Sequence, residues 1–111
     1  MTNLTKENFD EIVAEGITLV DFWAEWCAPC RLLSPAIEAL AEKYEGQYKV
    51  CKVNVDEEEG LAVRYGVMTI PTVFLFRNGE ELDKRVGVYP MEEFETMLKA
   101  AEAGKENSLH K

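Results

Sequence analysis

Cys27 and Cys30, two cysteines separated by two residues, have the types and spacing that point most directly to chemistry. Two thiols at this spacing can close into a small disulfide ring with little backbone motion, and an attacking thiolate can open it again. They follow an apolar segment, residues 18–23, and precede a helical pattern over residues 31–44. Backbone N–H groups and the positive end of the helix dipole at such a junction favour S⁻ over SH. Because only the thiolate is nucleophilic, the stretch predicts a dithiol–disulfide redox site.

The overall composition limits the possible classes of function. The chain has 111 residues, 47% of them hydrophobic, which suffices for one globular domain with a modest core. The net charge of −9 argues against binding to nucleic acid or to anionic membranes, and its simplest interpretation is solubility. No apolar run approaches the roughly 20 residues of a membrane helix. Residues 1–5 lack the basic and apolar regions of a signal peptide, so we expect a cytoplasmic protein.

The third cysteine, Cys51, has no obvious partner. Three cysteines in a reducing compartment indicate chemistry rather than a structural disulfide, and the odd count leaves Cys51 unpaired. Its simplest interpretation is a small buried hydrophobic residue. A zinc site formed by Cys27, Cys30, Cys51 and His110 is an alternative, since these side chains are suitable ligands. However, Cys51 is expected to point into a sheet and His110 lies in a polar tail.

Two charged residues interrupt predicted strands. Residues 17–23 are too apolar for a strand with one face in water, so they predict a central strand that contains Asp21. A buried carboxyl loses hydration and should titrate above its usual pKa. Asp21 is therefore either a proton acceptor behind the thiols or an acid at a strand end that reaches solvent. Lys52 lies in a second predicted strand, residues 48–55, where either a partner such as Asp21 or exposure at an edge would explain it.

The elements around these residues follow from periodicity and turn signals. Helical spacing predicts helices that begin at Thr5, near residue 57 and at Pro90, in addition to the one after Cys30. Pro71 must occupy the first position of an apolar strand over residues 72–76, because it cannot donate to a sheet. A cis bond before this proline would be a specified feature.

Asn78 and Gly79 predict a tight hairpin into a strand over residues 82–88. Gly87 within that strand indicates a bulge or a close approach of another backbone segment. The order of elements predicts an α/β domain in which the first two strands are parallel and joined by a right-handed helical crossover. The hairpin adds antiparallel strands to the same sheet, and helices cover both faces.

The motifs, in this order, resemble those of the thioredoxin family, for which two cysteines at this spacing beside a strand–helix–strand pattern are a recognised signature. The matching segments are Val20-Asp21-Phe22-Trp23-Ala24-Glu25-Trp26-Cys27-Ala28-Pro29-Cys30, Lys52-Val53-Asn54-Val55-Asp56, Tyr65-Gly66-Val67, Ile70-Pro71-Thr72, Asn78-Gly79 and Val86-Gly87. The resemblance spans residues 4–103. It implies one thioredoxin-fold domain over residues 1–111, with a frayed tail over residues 104–111. Its single mixed central sheet would be flanked by helices on both faces, with the first strand short or absent.

The resemblance also implies roles for particular residues. Cys27 would be the exposed nucleophile and Cys30 the buried resolving thiol. Asp21 would assist proton transfer from Cys30, and Lys52 would tune Asp21. Pro71 would be a cis-proline that faces the disulfide and leaves the backbone of the preceding residue to pair with substrate. The residues implied at the substrate-binding surface are Trp26, Ala28, Pro29, Thr69, Ile70, Gly87 and Val88.

Two of these residues depart from the family pattern. Ala28 replaces the usual glycine between the cysteines, and we expect a modest shift of redox potential without a change of reaction. Thr69 replaces a small residue, so that a β-branched side chain stands near the docking groove.

The activity implied by the resemblance is the reduction of protein disulfides. It would need no cofactor beyond the redox-active cysteine pair, which an NADPH-linked thioredoxin reductase would re-reduce. The partners would be disulfide-containing client proteins and that reductase, with no nucleic acid and no membrane, and the protein would be a monomer. The alternatives are a disulfide oxidant or isomerase of the same fold, and a non-catalytic interaction scaffold that uses the same apolar rim.

Overall fold

A mixed β-sheet forms the centre of the computed structural model, which describes residues 1–104. Its strands are β1 (Thr2–Asn3), β2 (Ile17–Trp23), β3 (Lys49–Asn54), β4 (Thr72–Arg77) and β5 (Glu80–Val86). The helices are α1 (Phe9–Val13), α2 (Ala28–Lys43), α3 (Glu59–Arg64) and α4 (Met91–Glu102). Nearly all of the predicted polar tail, including His110, lies outside the described residues.

The order of strands across the sheet is β1-β3-β2-β4-β5. β3 is parallel to both β1 and β2, whereas β4 is antiparallel to β2 and to β5. The connection from β2 to β3 runs through α2, as parallel neighbours require. β1 is only two residues long and pairs with Cys51 and Lys52. The predicted α/β class, the mixed sheet and the short first strand are therefore confirmed.

Each face of the sheet carries its own apolar core. Leu19 of β2 lies in the core under α2 and α4, whereas Val20 and Phe22 lie in the core under α1 and α3. Asp21 alternates with Val20 and Phe22 along the strand, so it faces the same side as α2. Cys51 is a free thiol that is buried in the core on the α1 side, as the sequence predicts.

Two local predictions near the ends of elements can be compared with the structure. Thr5 caps the first helical segment as predicted, since its Oγ1 accepts a hydrogen bond from the Glu7 N–H at 3.3 Å and its own N–H donates to the Asn8 side chain at 2.7 Å, although the regular helix α1 begins only at Phe9. β5 ends at Val86, so Gly87 lies just after the strand instead of within it. The expected close approach of another backbone segment is also wrong, because no atom lies within 4 Å of where a Cβ of Gly87 would stand. Glycine instead suits the φ of 109° at this position, and its N–H donates to the carbonyl oxygen of Pro71 at 2.9 Å.

The hairpin between β4 and β5 turns where the sequence predicts. Asn78 and Gly79 have φ values of 50° and 86°, the left-handed conformation that a two-residue hairpin turn requires of both central positions. Among the described helices, none is long and apolar enough to span a bilayer.

Candidate active site

The two cysteines lie at the start of α2, directly after the loop that follows β2. Cys27 is the N-cap of this 16-residue helix, and its Sγ accepts a hydrogen bond from the Cys30 N–H at 3.2 Å. The two residues form a disulfide with their Cα atoms 5.3 Å apart. Pro29 stands in the first turn, where its missing N–H has no helical partner to lose. The helix N-terminus thus directs a free N–H group and its positive dipole end at the sulfur of Cys27.

The predicted contrast in exposure between the two cysteines is wrong for this disulfide form. Cys27 and Cys30 each retain only 3% of their accessible surface. The reason is packing, because the disulfide lies in a small apolar cluster with Ala24, against which Val55 and Ile70 pack. The Sγ atom of Cys27 is 3.7 Å from the carbonyl oxygen of Ile70, so the loop around that residue covers it from one side.

The loop that covers the disulfide contains the implied cis-proline. The bond between Ile70 and Pro71 is cis, and Pro71 is buried at the start of β4. The hydrogen bond from the Gly87 N–H to the Pro71 carbonyl ties this loop to the end of β5. The structure therefore brings Ile70, Pro71 and Gly87 together beside the cysteines, although they are distant in sequence.

Asp21 is buried behind the disulfide. It is 2% exposed, so the alternative of a strand-end acid that reaches solvent is wrong. Burial raises the pKa of Asp21 to about 7, and the positive charge of Lys52 opposes part of this shift. Asp21 and Cys30 line one cavity of about 50 Å³. The carboxyl is thus placed to exchange a proton with the thiol that Cys30 becomes on reduction.

Lys52 lies next to Asp21 on the neighbouring strand. The two residues are paired in register between β2 and β3, and β1 covers the other side of β3 at this point. Exposure at a sheet edge therefore does not explain Lys52. Its ammonium nitrogen is 4.1 Å from the ring centroid of Trp23, so a cation–π contact holds it beside the cavity.

An exposed, largely apolar rim surrounds the cysteines. Trp26 is 68% exposed and Val88 is 47% exposed. Ala28, Pro29 and Thr69 are also exposed, while Ile70 and Gly87 are half-buried. The residues implied at the substrate-binding surface therefore lie next to the two cysteines in the chain, on the loop that covers the disulfide, or on the segment that is hydrogen-bonded to that loop.

Sequence patterns did not indicate a role at this site for three further residues, which are Asp56, Met68 and Ser34. The indole N–H of Trp26 donates to Asp56 Oδ2 at 2.8 Å, which fixes the most exposed aromatic side chain of the rim. Met68 is 95% exposed on the loop before the cis-proline. Ser34 lines the cavity beside Asp21. An apolar residue in a loop and a hydroxyl one turn after Cys30 are weak signals, because both are common where no ligand binds.

The described residues contain no group of three or more His, Cys, Asp or Glu side chains placed to hold a metal ion. Of the four ligands in the zinc alternative, Cys51 lies in the core on the α1 side, whereas Cys27 and Cys30 form a separate cluster with Ala24. His110 lies outside the described residues.

A mixed sheet with a disulfide at a helix start, a buried carboxyl behind it and a cis-proline beside it defines a protein of thiol–disulfide exchange. The thioredoxin family model matches residues 1–100. The chain is 43% identical to a thioredoxin of Staphylococcus haemolyticus over 98 residues, which are 88% of this chain and 94% of that protein. It is 44% identical to a thioredoxin of Staphylococcus saprophyticus over 92 residues, which are 83% and 88% of the two chains.

A thioredoxin of Staphylococcus aureus is 43% identical over 98 residues, with the same coverage of 88% and 94%. The chain belongs to the thioredoxin family, and it is a protein-disulfide oxidoreductase whose redox group is its own pair of cysteines. Membership of the family implies disulfide-containing substrates and a thioredoxin reductase as partners.

Proposed function

We propose that this protein works as a reductant of disulfides in client proteins, with Cys27 as the attacking thiolate and Cys30 as the resolving thiol. One observation carries this assignment: Cys27 Sγ accepts the hydrogen bond of the Cys30 N–H at the start of α2. A hydrogen bond to the charged form of a group lowers the pKa of a thiol, and the helix dipole acts in the same direction.

The reaction consists of two exchanges. Cys27 S⁻ attacks one sulfur of the client disulfide, forms a mixed disulfide and displaces the first client thiolate, which takes a proton from solvent. Cys30 then passes its proton to the carboxylate of Asp21 and attacks Cys27 Sγ, which displaces the second client thiolate. The client gains two electrons, and the protein is left with the Cys27–Cys30 disulfide. An NADPH-linked thioredoxin reductase would return the two electrons.

The assignment of roles does not rely on a difference in exposure, because both cysteines are equally buried in the disulfide form. What distinguishes them is their surroundings. Cys27 is the N-cap of α2 and faces the loop at Ile70, whereas Cys30 lines the cavity of Asp21. A partner therefore approaches Cys27 between the rim and the cis-proline loop, and the proton leaves Cys30 on the opposite side.

The rim is the proposed docking surface for an extended client segment. Trp26 and Val88 offer apolar contact area, and Ile70 and Thr69 lie on a loop whose backbone can pair with an added strand. Pro71 fixes this loop beside the disulfide, and Gly87 holds it through one hydrogen bond. Ala28 and Pro29 complete the surface on the helix side, where both are exposed.

The remaining expectations from the sequence belong to the same proposal. A protein that returns to a dithiol in each cycle needs a reducing compartment, which supports the cytoplasm. The net charge of −9 supports a monomer and disfavours nucleic acid and anionic membranes as partners.

Reduction of insulin by dithiothreitol tests the activity. The protein should accelerate precipitation of the insulin B chain, and Cys27→Ser should abolish the acceleration, whereas the control Cys51→Ala should retain it. Cys30→Ser should accumulate a mixed disulfide at Cys27. Equilibration against glutathione then separates a reductant from an oxidant or isomerase. An inert wild-type protein, or a potential as oxidising as glutathione, would contradict the proposal.

A further inference from the structure

The small cavity behind the disulfide contains more polar groups than the exchange reaction uses. It has a volume of about 50 Å³ and is lined by Asp21, Trp23, Cys30, Arg31, Ser34 and Lys52. Arg31 is exposed, and Ser34 and Lys52 are half-buried, so these three residues form its solvent side. Asp21 and Cys30 are buried and form its inner side.

Two polar side-chain atoms of the residues that line this cavity lack hydrogen-bond partners among the described residues. They are Oδ1 of Asp21 and Nε1 of Trp23, and both are buried. Leaving a buried carboxylate oxygen without a partner is costly, so native proteins commonly satisfy such an atom with water. A water needs a cavity of only about 10–15 Å³ and two to four polar partners. The cavity meets both requirements.

Ser34 lines this cavity from α2 and is the lining residue that carries a hydroxyl. Its Oγ donates to Glu38 Oε2 at 3.3 Å, one helical turn further along the same helix. Because the single hydroxyl proton of Ser34 is directed to Glu38, the lone pairs of its oxygen remain available as acceptors. A water in the cavity can therefore donate one proton to Ser34 and the other to Asp21.

We propose that Ser34 holds a water molecule against Oδ1 of Asp21 and thereby supports the carboxylate form that receives the proton of Cys30. This role of Ser34 rests on the function proposed above. Ser34 is in this respect a positioning residue, since it touches neither the client nor the reacting sulfur atoms. Glu38 orients the hydroxyl. The water is the ligand of the site.

The effect of the proposed water on the carboxyl of Asp21 depends on the charged groups that surround this carboxyl. From α2, Arg31 lines the cavity directly and Glu38 reaches it through Ser34, while Cys30 is the proton donor. From β3, Lys52 brings a positive charge. On the other side of β2, the register partner of Asp21 in β4 is the apolar Val73, which brings no charge. Beyond these neighbours, the proposed water adds a hydrogen bond to Oδ1.

The test uses the release of a chromogenic thiol. Reduced protein is mixed with a symmetric aromatic disulfide, and the second thiolate released reports the attack of Cys30 on the mixed disulfide at Cys27. In the wild type the rate should rise with pH as Asp21 ionises. Ser34→Ala removes one hydrogen bond to the carboxylate, so its profile should move to higher pH and its rate at pH 7 should fall by about two- to threefold.

Two variants serve as controls. Ser34→Thr keeps the hydroxyl and should restore the wild-type profile. Thr96→Ala removes a helical hydroxyl that donates to the Glu92 carbonyl in α4 and does not line the cavity, so it should change nothing. Alanine is a good helix former, so Ser34→Ala should fold, and its thermal midpoint should stay near that of the wild type.

A high-resolution crystal structure of the wild type supplies the direct test. We expect one water within hydrogen-bond distance of both Asp21 Oδ1 and Ser34 Oγ, and its absence would overturn the proposal. Asp21→Asn separates this proposal from the one on which it rests. If Asp21→Asn removes the pH dependence while Ser34→Ala matches the wild type, the role of Ser34 fails alone. If Asp21→Asn has no effect either, the role of Asp21 fails with it.

Discussion

Asp21 and Lys52 occupy paired positions on two neighbouring parallel strands, and burial nevertheless outweighs the attraction between their charges. The pKa of Asp21 is raised to about 7, although the nearby ammonium group lowers it. The carboxyl is 2% exposed, so it has lost nearly all contact with bulk water. A group with such a pKa exchanges protons readily near neutrality, which suits a proton acceptor for a thiol.

The first prediction concerns the stability of Asp21→Asn. Between the usual carboxyl pKa and about 7, the folded protein binds one proton more than the unfolded chain, so the wild type loses stability as pH rises through this interval. The asparagine variant lacks this loss. The free energy of unfolding of the variant minus that of the wild type should therefore increase by up to about 4 kcal/mol between pH 4 and pH 8.

Urea unfolding of both oxidised proteins across this pH range measures the effect. The quantity of interest is the change of the difference with pH, because any constant cost of packing the amide cancels. Parallel stability curves would show that the carboxyl of Asp21 titrates normally in the folded protein.

The second prediction concerns Lys52→Met, which removes the positive charge beside Asp21 but keeps a long apolar side chain. The pKa of Asp21 should rise further, because the neighbour that lowers it is gone. The carboxyl ¹³C resonance of Asp21, followed by NMR as a function of pH, measures the midpoint directly. Lys6→Met removes a charge from an exposed residue near the N-terminus and should leave the midpoint unchanged.

Much of the fold was predictable because its signals are local. The run from Ile17 to Trp23 is apolar on both faces, which indicates a central strand, and the structure places β2 between β3 and β4. Asn78 and Gly79 supply the turn conformation that a short hairpin needs. The cysteine spacing indicates the disulfide, because two residues between the thiols leave the Cα atoms 5.3 Å apart at a helix start.

The exposure of Cys27 was not predictable, because it depends on segments far away in the chain. The loop at Ile70 reaches the sulfur only after β4 has paired with β2, and no pattern near Cys27 encodes that distance. The contact of Asp56 with Trp26 and the position of Ser34 beside Asp21 depend on the fold in the same way. Side-chain hydrogen bonds between residues in different elements, such as Trp26 and Asp56, require the three-dimensional arrangement.

The third prediction concerns the reactivity of the thiols in the reduced protein. Cys27 should react with iodoacetamide at neutral pH at least about tenfold faster than Cys30 or Cys51, because a helix N–H stabilises its thiolate. Burial raises the pKa of Cys51 to about 11, so only about one thiol in ten thousand is ionised at pH 7. Mass spectrometry of quenched samples assigns each alkylated cysteine.

The matched control is Cys27→Ser, in which the fast phase should disappear while the slow labelling of Cys51 remains. Similar rates for Cys27 and Cys30 would contradict the assignment of the attacking thiol. Fast labelling of Cys51 would show that the core on the α1 side opens readily.

The fourth prediction concerns the hydrogen bond between Trp26 and Asp56, which joins the rim to the turn after β3. Asp56→Ala leaves the indole N–H without its acceptor, so the exposed ring samples more orientations before a client binds. Ordering it again costs affinity, and KM for a disulfide client should rise roughly two- to tenfold, the value of one hydrogen bond. The turnover number should stay unchanged, because Asp56 contacts neither cysteine.

Asp56→Asn keeps an acceptor oxygen and should show a smaller increase of KM. Glu57→Ala removes the same charge one residue later and should show none, whereas an equal effect of both alanine variants would assign the change to net charge instead of the position of Trp26.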